Sequence, residues 1–141
     1  AEQYRSAAWL LESLSRLRSW GGNFLANVGP RTNGELPDVV YERFVEVAGW
    51  MKHSRVALIG TEPAPRSLKC NVPLTMNGAT KYLHASPNFS GVIELETGAP
   101  PNSVSLLRTG EALPFDFKCG VLRIEIPRAA RTPLVDVVAV R

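Results

Sequence analysis

The sequence predicts an α+β chain: a helix–strand–helix fragment of a βα-repeat fold, followed by an antiparallel β-sandwich. Three observations carry this reading. Apolar residues recur at helical spacing only in the first part, with Leu10, Leu14 and Leu17 at i, i+4, i+7 and a second stripe of Val40, Phe44, Val47, Ala48 and Met51. From about residue 66 onward, apolar residues come in short runs separated by Gly, Pro and Asn, as in all-β domains. Between the two parts, Thr61-Glu-Pro-Ala-Pro-Arg66 carries prolines at alternate positions, a composition that suits neither helix nor sheet interior. The expected division is therefore 1–62 and 66–141.

The first helix is expected from a Ser6 cap to about Ser19, ended by Gly21-Gly22. Asn23-Phe-Leu-Ala-Asn-Val28 follows, a run without charge between the glycine pair and Gly29-Pro30. Such a run predicts a strand buried on both faces, as in a parallel sheet. Arg31-Thr-Asn-Gly34 reads as a turn, Pro37 suits the first turn of a second helix, and Asp38 favours its positive end. Glu42, Glu46 and His53 fall on its solvated face.

In the second part, Leu74–Met76 and Lys81–His84 flank the hairpin signal Asn77-Gly78. Val92–Glu96, Ser103–Arg108, Leu113–Phe117, Val121–Ile126 and Val135–Val140 complete an expected set of about seven strands. Cys119-Gly120 joins two of them. No internal repeat or low-complexity tract is visible.

With 141 residues, the chain is long enough for one domain, or for a small domain plus a piece of another. A whole (β/α)₈ barrel needs roughly 200 residues or more. The formal net charge is +3, and the arginines are scattered rather than interleaved with aromatics, which argues against a nucleic-acid partner. No run approaches the ~18 apolar residues of a membrane span. The chain opens on Ala1 rather than Met, as expected of a processed or truncated N-terminus. Cys70 and Cys119 both fall in β-like segments. Two buried free thiols are the favoured reading, with a disulfide between them as the alternative. His53 and His84 stand apart, without metal-ligand spacing. No metal or cofactor is implied.

Ser19-Trp-Gly-Gly-Asn-Phe-Leu-Ala-Asn-Val-Gly-Pro30 resembles the last barrel strand of family-29 α-L-fucosidases, where a glycine pair, an asparagine, an apolar run and Asn-x-Gly-Pro recur together. Gly34, Pro37, the Glu42–Trp50 helix, Gly60-Thr61 and Pro63 follow in similar order. Cys70–Thr75, Tyr82–His84, Leu106–Pro114, Gly120–Pro127 and Pro133–Val140 resemble that family's C-terminal β-domain. The resemblance makes residues 1–62 the terminal piece of a (β/α)₈-type catalytic barrel and 66–141 a C-terminal β-sandwich domain. It implies hydrolysis of terminal α-L-fucose from fucosylated glycans with retention. That chemistry needs an aspartate nucleophile and a carboxylic acid/base about 5–5.5 Å apart. The family draws both from earlier barrel strands, and no stretch here matches them, so no catalytic residue is carried over.

Loops after barrel strands face the active site. Asn27 and Arg31 are therefore the candidate substrate-binding residues. The competing reading has Asn23 and Asn27 satisfying buried backbone groups while Gly29-Pro30 sets the turn. Trp9, Trp20, Trp50 and Tyr82 are expected to serve packing rather than sugar stacking. Asp38/Glu42 and Glu42/Glu46 stand one helical turn apart, a spacing more typical of a solvated face than of a catalytic pair. Three functional readings follow: an inactive fragment, a chain that becomes active by homo-oligomerising or by joining the missing remainder of the barrel, and a carbohydrate-binding or scaffolding module. The first 60 residues are expected to be poorly ordered, swapped or buried in an interface.

Overall fold

A computed structural model describes residues 4–141. Helix α1 (Ala7–Ser19) starts where the Ser6 hydroxyl accepts from the Trp9 amide at 3.1 Å. It ends where Gly21 turns left-handed at φ 79° and the Gly22 amide donates to the Leu17 carbonyl at 2.8 Å. Helix α2 (Asp38–Ser54) has no side-chain cap. Pro37 lies just before it, at φ −58°, and Asp38 occupies the first turn near the positive end.

Eight strands follow, all paired antiparallel. One sheet has the order β1 (Glu62–Pro63), β2 (Leu74–Asn77), β3 (Thr80–Ala85), β8 (Asp136–Val140), β5 (Val104–Leu106). The other has the order β4 (Ile93–Glu96), β7 (Val121–Ile124), β6 (Phe115–Lys118). Register explains the core. Leu74 pairs with Leu83 and Leu83 with Val138, which puts all three on one face. On the second sheet Ile93 pairs with Ile124 and Leu95 with Leu122. These residues interdigitate with Val104, Leu106 and Val140 as the sandwich core.

The five-stranded sheet has a second covered face. Tyr82, Val137 and Ala139 pack there against Leu11 of α1, Trp50 of α2, and Ala57 and Leu58 of the following 3₁₀ turn. The Trp50 indole N–H donates to the Val135 carbonyl at 2.7 Å, fixing α2 on the sheet. The molecule is thus helices on a five-stranded sheet on a three-stranded sheet. β8 lies in the middle layer, and all five of its residues are buried, so Asp-Val-Val-Ala-Val shows no polar–apolar alternation.

Several expectations need correction. Residues 23–28 do not form a strand. They form no regular element and make no hydrogen bond among the described residues, and Leu25 is 81% exposed. A strand buried on both faces needs a ladder and two covering layers, and nothing among the described residues supplies either. The helices, by contrast, need no swapping to find a partner, since Leu11 and Trp50 dock on this chain's own sheet. In the α2 stripe, Val40, Val47 and Met51 face inward but Phe44 and Ala48 do not; the docking face runs through Trp50 and Ser54 instead. Trp20 does not pack: it is 70% exposed. The Thr61–Arg66 segment, expected to suit no sheet interior, contributes only the short edge strand β1, where Pro63 owes no donor to a second neighbour. Cys70 and Cys119 are free thiols, but Cys119 is exposed rather than buried.

Candidate functional site

Asn27 and Arg31 lie on the connection between α1 and α2. Asn27 is exposed and lines a groove of about 220 Å³ with Trp9, Leu10, Phe24, Val40 and Phe44. Trp9 meets Phe24 edge-on, with ring centroids 5.9 Å apart, and the Arg5 guanidinium lies 5.0 Å from the Trp9 ring centre. Neither Asn23 nor Asn27 makes a side-chain hydrogen bond among the described residues, and both are exposed, so neither satisfies a buried backbone group.

Arg31 sits past this groove in a well-tied turn. Its amide donates to the Glu35 carbonyl at 2.7 Å, and the Gly34 amide donates back to the Arg31 carbonyl at 2.9 Å. Asn33 Oδ1 accepts from the Glu35 amide at 3.1 Å. The Arg31 guanidinium reaches Asp38 at 3.4 Å, across an exposed surface. The structure therefore puts Asn27 in the groove and holds Arg31 on the helix start; it does not bring the two onto one wall.

The carboxylates are dispersed. Glu46 pairs with Arg43 at 2.8 Å, Asp116 with Lys118 at 3.4 Å and Glu94 with Arg123 at 2.9 Å, while Glu42 faces solvent. Asp136 is buried, but it is fully engaged: it accepts from the Thr132 amide at 3.0 Å, the Thr132 hydroxyl at 2.9 Å and Arg131 Nε at 3.2 Å. It closes the 131–136 turn and has no open face for substrate.

Sequence reasoning missed one polar cluster. His84 is buried on β3, its Nε2 2.9 Å from the Thr75 hydroxyl, which donates to the Ala57 carbonyl at 2.6 Å. Burial drives the His84 pKa from 6.5 down to about 3. The available signal was that Tyr82 and His84 share one face of a strand. What covers that face was not legible.

Comparison with known proteins bears on this geometry. A family model described as α-L-fucosidase matches residues 1–55. The α-L-fucosidase of Dictyostelium discoideum is 28% identical over 86 residues, which is 60% of this chain and 19% of that protein. Among solved structures, α-L-fucosidase isoenzyme 1 from Paenibacillus thiaminolyticus superposes with a TM-score of 0.82 at 24% identity, over 97% of this chain and 34% of that one. Over these stretches the chain is similar to α-L-fucosidases. The α-fucosidase of Thermotoga maritima is similar at a TM-score of 0.79 and 25% identity, over 99% of this chain and 35% of its own. The α+β sandwich-like fold is thus that of the C-terminal part of α-L-fucosidases. The chain spans about a third of the solved fucosidases and about a fifth of the Dictyostelium protein.

Proposed function

We propose that this chain is part of an α-L-fucosidase that removes terminal α-L-fucose from glycans with retention of configuration. The match of residues 1–55 to the family model supports this most directly. In this reading residues 1–62 are the terminal piece of a (β/α)₈ catalytic barrel and 66–141 are a C-terminal sandwich domain. Asn27 borders the barrel mouth and touches sugar, while Arg31 orients the loop. The nucleophile and the acid/base, which must flank the bond about 5–5.5 Å apart, come from outside this chain: from the remainder of a barrel or from further copies. The segment 23–28, unpaired among the described residues, and the apolar groove beside it favour such completion, because free backbone groups and exposed apolar surface recruit other chains.

A second reading, a glycan-binding or scaffolding module without turnover, is favoured by the paired state of Asp38, Glu46, Glu94, Asp116 and Asp136. Hydrolysis of an aryl α-L-fucoside separates the two. The assay takes the purified chain in monomeric and assembled fractions, with and without the barrel portion of a relative. Turnover that depends on assembly or on the added barrel, and falls in Asn27→Ala, is the expected result; the anomer first released, read by NMR, tests retention. No turnover under any of these conditions sinks the hydrolase reading and leaves the binding module.

A further inference from the structure

A second groove, of about 750 Å³, lies at the far end of α1, between the helix C-terminus and residues 63–74. The first groove takes its α1 residues from the N-terminal half. The nearest α1 residues of the two grooves, Leu10 and Arg16, are separated by about 9 Å along the axis at ~1.5 Å rise per residue. The charged residues lining the second groove are Arg16 and Arg66, with no carboxylate. Both are exposed, and neither guanidinium has a hydrogen bond or ion pair among the described residues. Several other arginines are tied down: Arg31 to Asp38, Arg43 to Glu46, Arg123 to Glu94, Arg131 to Asp136, Arg18 to the Thr61 carbonyl and Arg108 to the Ala130 carbonyl.

Trp20 stands in the same groove, 70% exposed. Its position is fixed from behind. The Trp20 and Gly22 amides donate to the Leu17 carbonyl at 3.1 and 2.8 Å, and the Gly21 amide to the Arg18 carbonyl at 3.0 Å. Arg18 Nη2 donates to the Thr61 carbonyl at 2.7 Å, clamping this corner to the sheet edge. Pro63 Cγ lies 3.4 Å from where a side chain on Gly21 would begin, so the corner packs closely on β1. A rigid corner thus presents a large aromatic face to water beside two free cations, the arrangement of a preorganised recognition surface.

We infer that this groove binds an anionic oligosaccharide, with a sugar ring covering the Trp20 indole and its carboxylate or sulfate groups seated on Arg16 and Arg66. The planar guanidinium fork matches such oxyanions in bidentate fashion, and a lining whose charges are both cationic attracts them. Pro63 and Pro65 line the same groove and stiffen its backbone. The saccharide class rests on the fucosidase reading; the negative charge rests on the groove itself.

The test titrates the 141-residue chain with a heparin-derived hexasaccharide, its desulfated counterpart and a hexaglutamate peptide, reading the Trp20 indole N–H cross-peak and calorimetry. Expected is saturable binding of the sulfated sugar, at least 10-fold weaker for the desulfated sugar, for the peptide, for R16Q/R66Q and for W20A. The Trp50 indole cross-peak, which reports the buried bond to Val135, should not move in any variant and so certifies folding. Absence of binding, or equal binding by R16Q/R66Q, overturns the proposal. Equal binding of the peptide overturns it in favour of an acidic protein partner. None of these readouts requires hydrolysis, and neither arginine lies at the first groove, so failure here and failure in the fucoside assay are told apart.

Discussion

His84 is held neutral by its surroundings. The Thr75 hydroxyl spends its proton on the Ala57 carbonyl, so its oxygen accepts from Nε2–H of the imidazole, and the ring lies buried beneath the helices. Because the folded pKa, about 3, lies below the unfolded value of 6.5, the unfolded chain binds the extra proton first as pH falls. The stabilising contribution is complete above pH 6.5 and is lost as pH drops towards 3. Denaturant melts at pH 7 and pH 5 should therefore differ more in the parent than in His84→Leu, by about 2 kcal/mol at ~1.4 kcal/mol per pH unit. An unchanged difference would place the acid sensitivity elsewhere, for example in His53, whose pKa is also lowered, first by burial and then by Arg108. Cys119 teaches a different lesson. It sits at φ 51° before Gly120 in the turn joining β6 to β7, a conformation that costs a side-chain-bearing residue roughly 1–2 kcal/mol. Cys119→Gly is expected to raise stability by about 0.5–1 kcal/mol in a urea melt, the looser unfolded chain offsetting part of the relief. In the parent, a thiol reagent should label the exposed Cys119 quickly and Cys70 slowly, since Cys70 is half-buried and burial raises its pKa. The Asn77-Gly78 and Cys119-Gly120 turns could be read from sequence because local backbone chemistry fixes them. The fate of His84 could not, because it depends on helices brought over the strand from elsewhere in the chain.

Among the elements, β8 and segment 23–28 make an instructive pair. Both are short apolar runs, and both suit a strand buried on two faces. β8 is one, because β3 and β5 supply its ladder while the helices and the second sheet supply its covers. Segment 23–28 is not, because no strand among the described residues reaches it. Composition sets the demand for neighbours; topology decides whether they exist. Hydrogen exchange checks this directly: amides of 23–28 should exchange within the dead time of the experiment, while those of β3 and β8 should persist to global unfolding. Leu25→Lys should change stability by less than about 0.5 kcal/mol, the range of ordinary surface substitutions. Slow exchange in 23–28 at high protein concentration, lost on dilution, would instead reveal pairing with another copy.

For the molecule as a whole, the question is whether the helices and the sandwich stand or fall together. Leu11 and Trp50 bury themselves on Tyr82, Val137 and Ala139, whose strands also carry the sandwich core on their other face. Leu11→Ala should cost about 2–5 kcal/mol through the lost contacts and the cavity left behind. Trp50 fluorescence and the far-ultraviolet β-signal should then shift to the same lower midpoint, as a cooperative unit requires. Separate midpoints would show that the helices detach first. The α+β class, both helices, the positions of most strands and the likeness to fucosidases were all written in periodicity, turn residues and one glycine–asparagine motif. Those signals are local, and local rules of chain geometry are enough to produce them. The third layer, the burial of His84, the exposure of Trp20 and the unpaired state of residues 23–28 depended on which distant segments meet. Contacts between segments many residues apart leave no period in a sequence, so only the assembled structure could settle them.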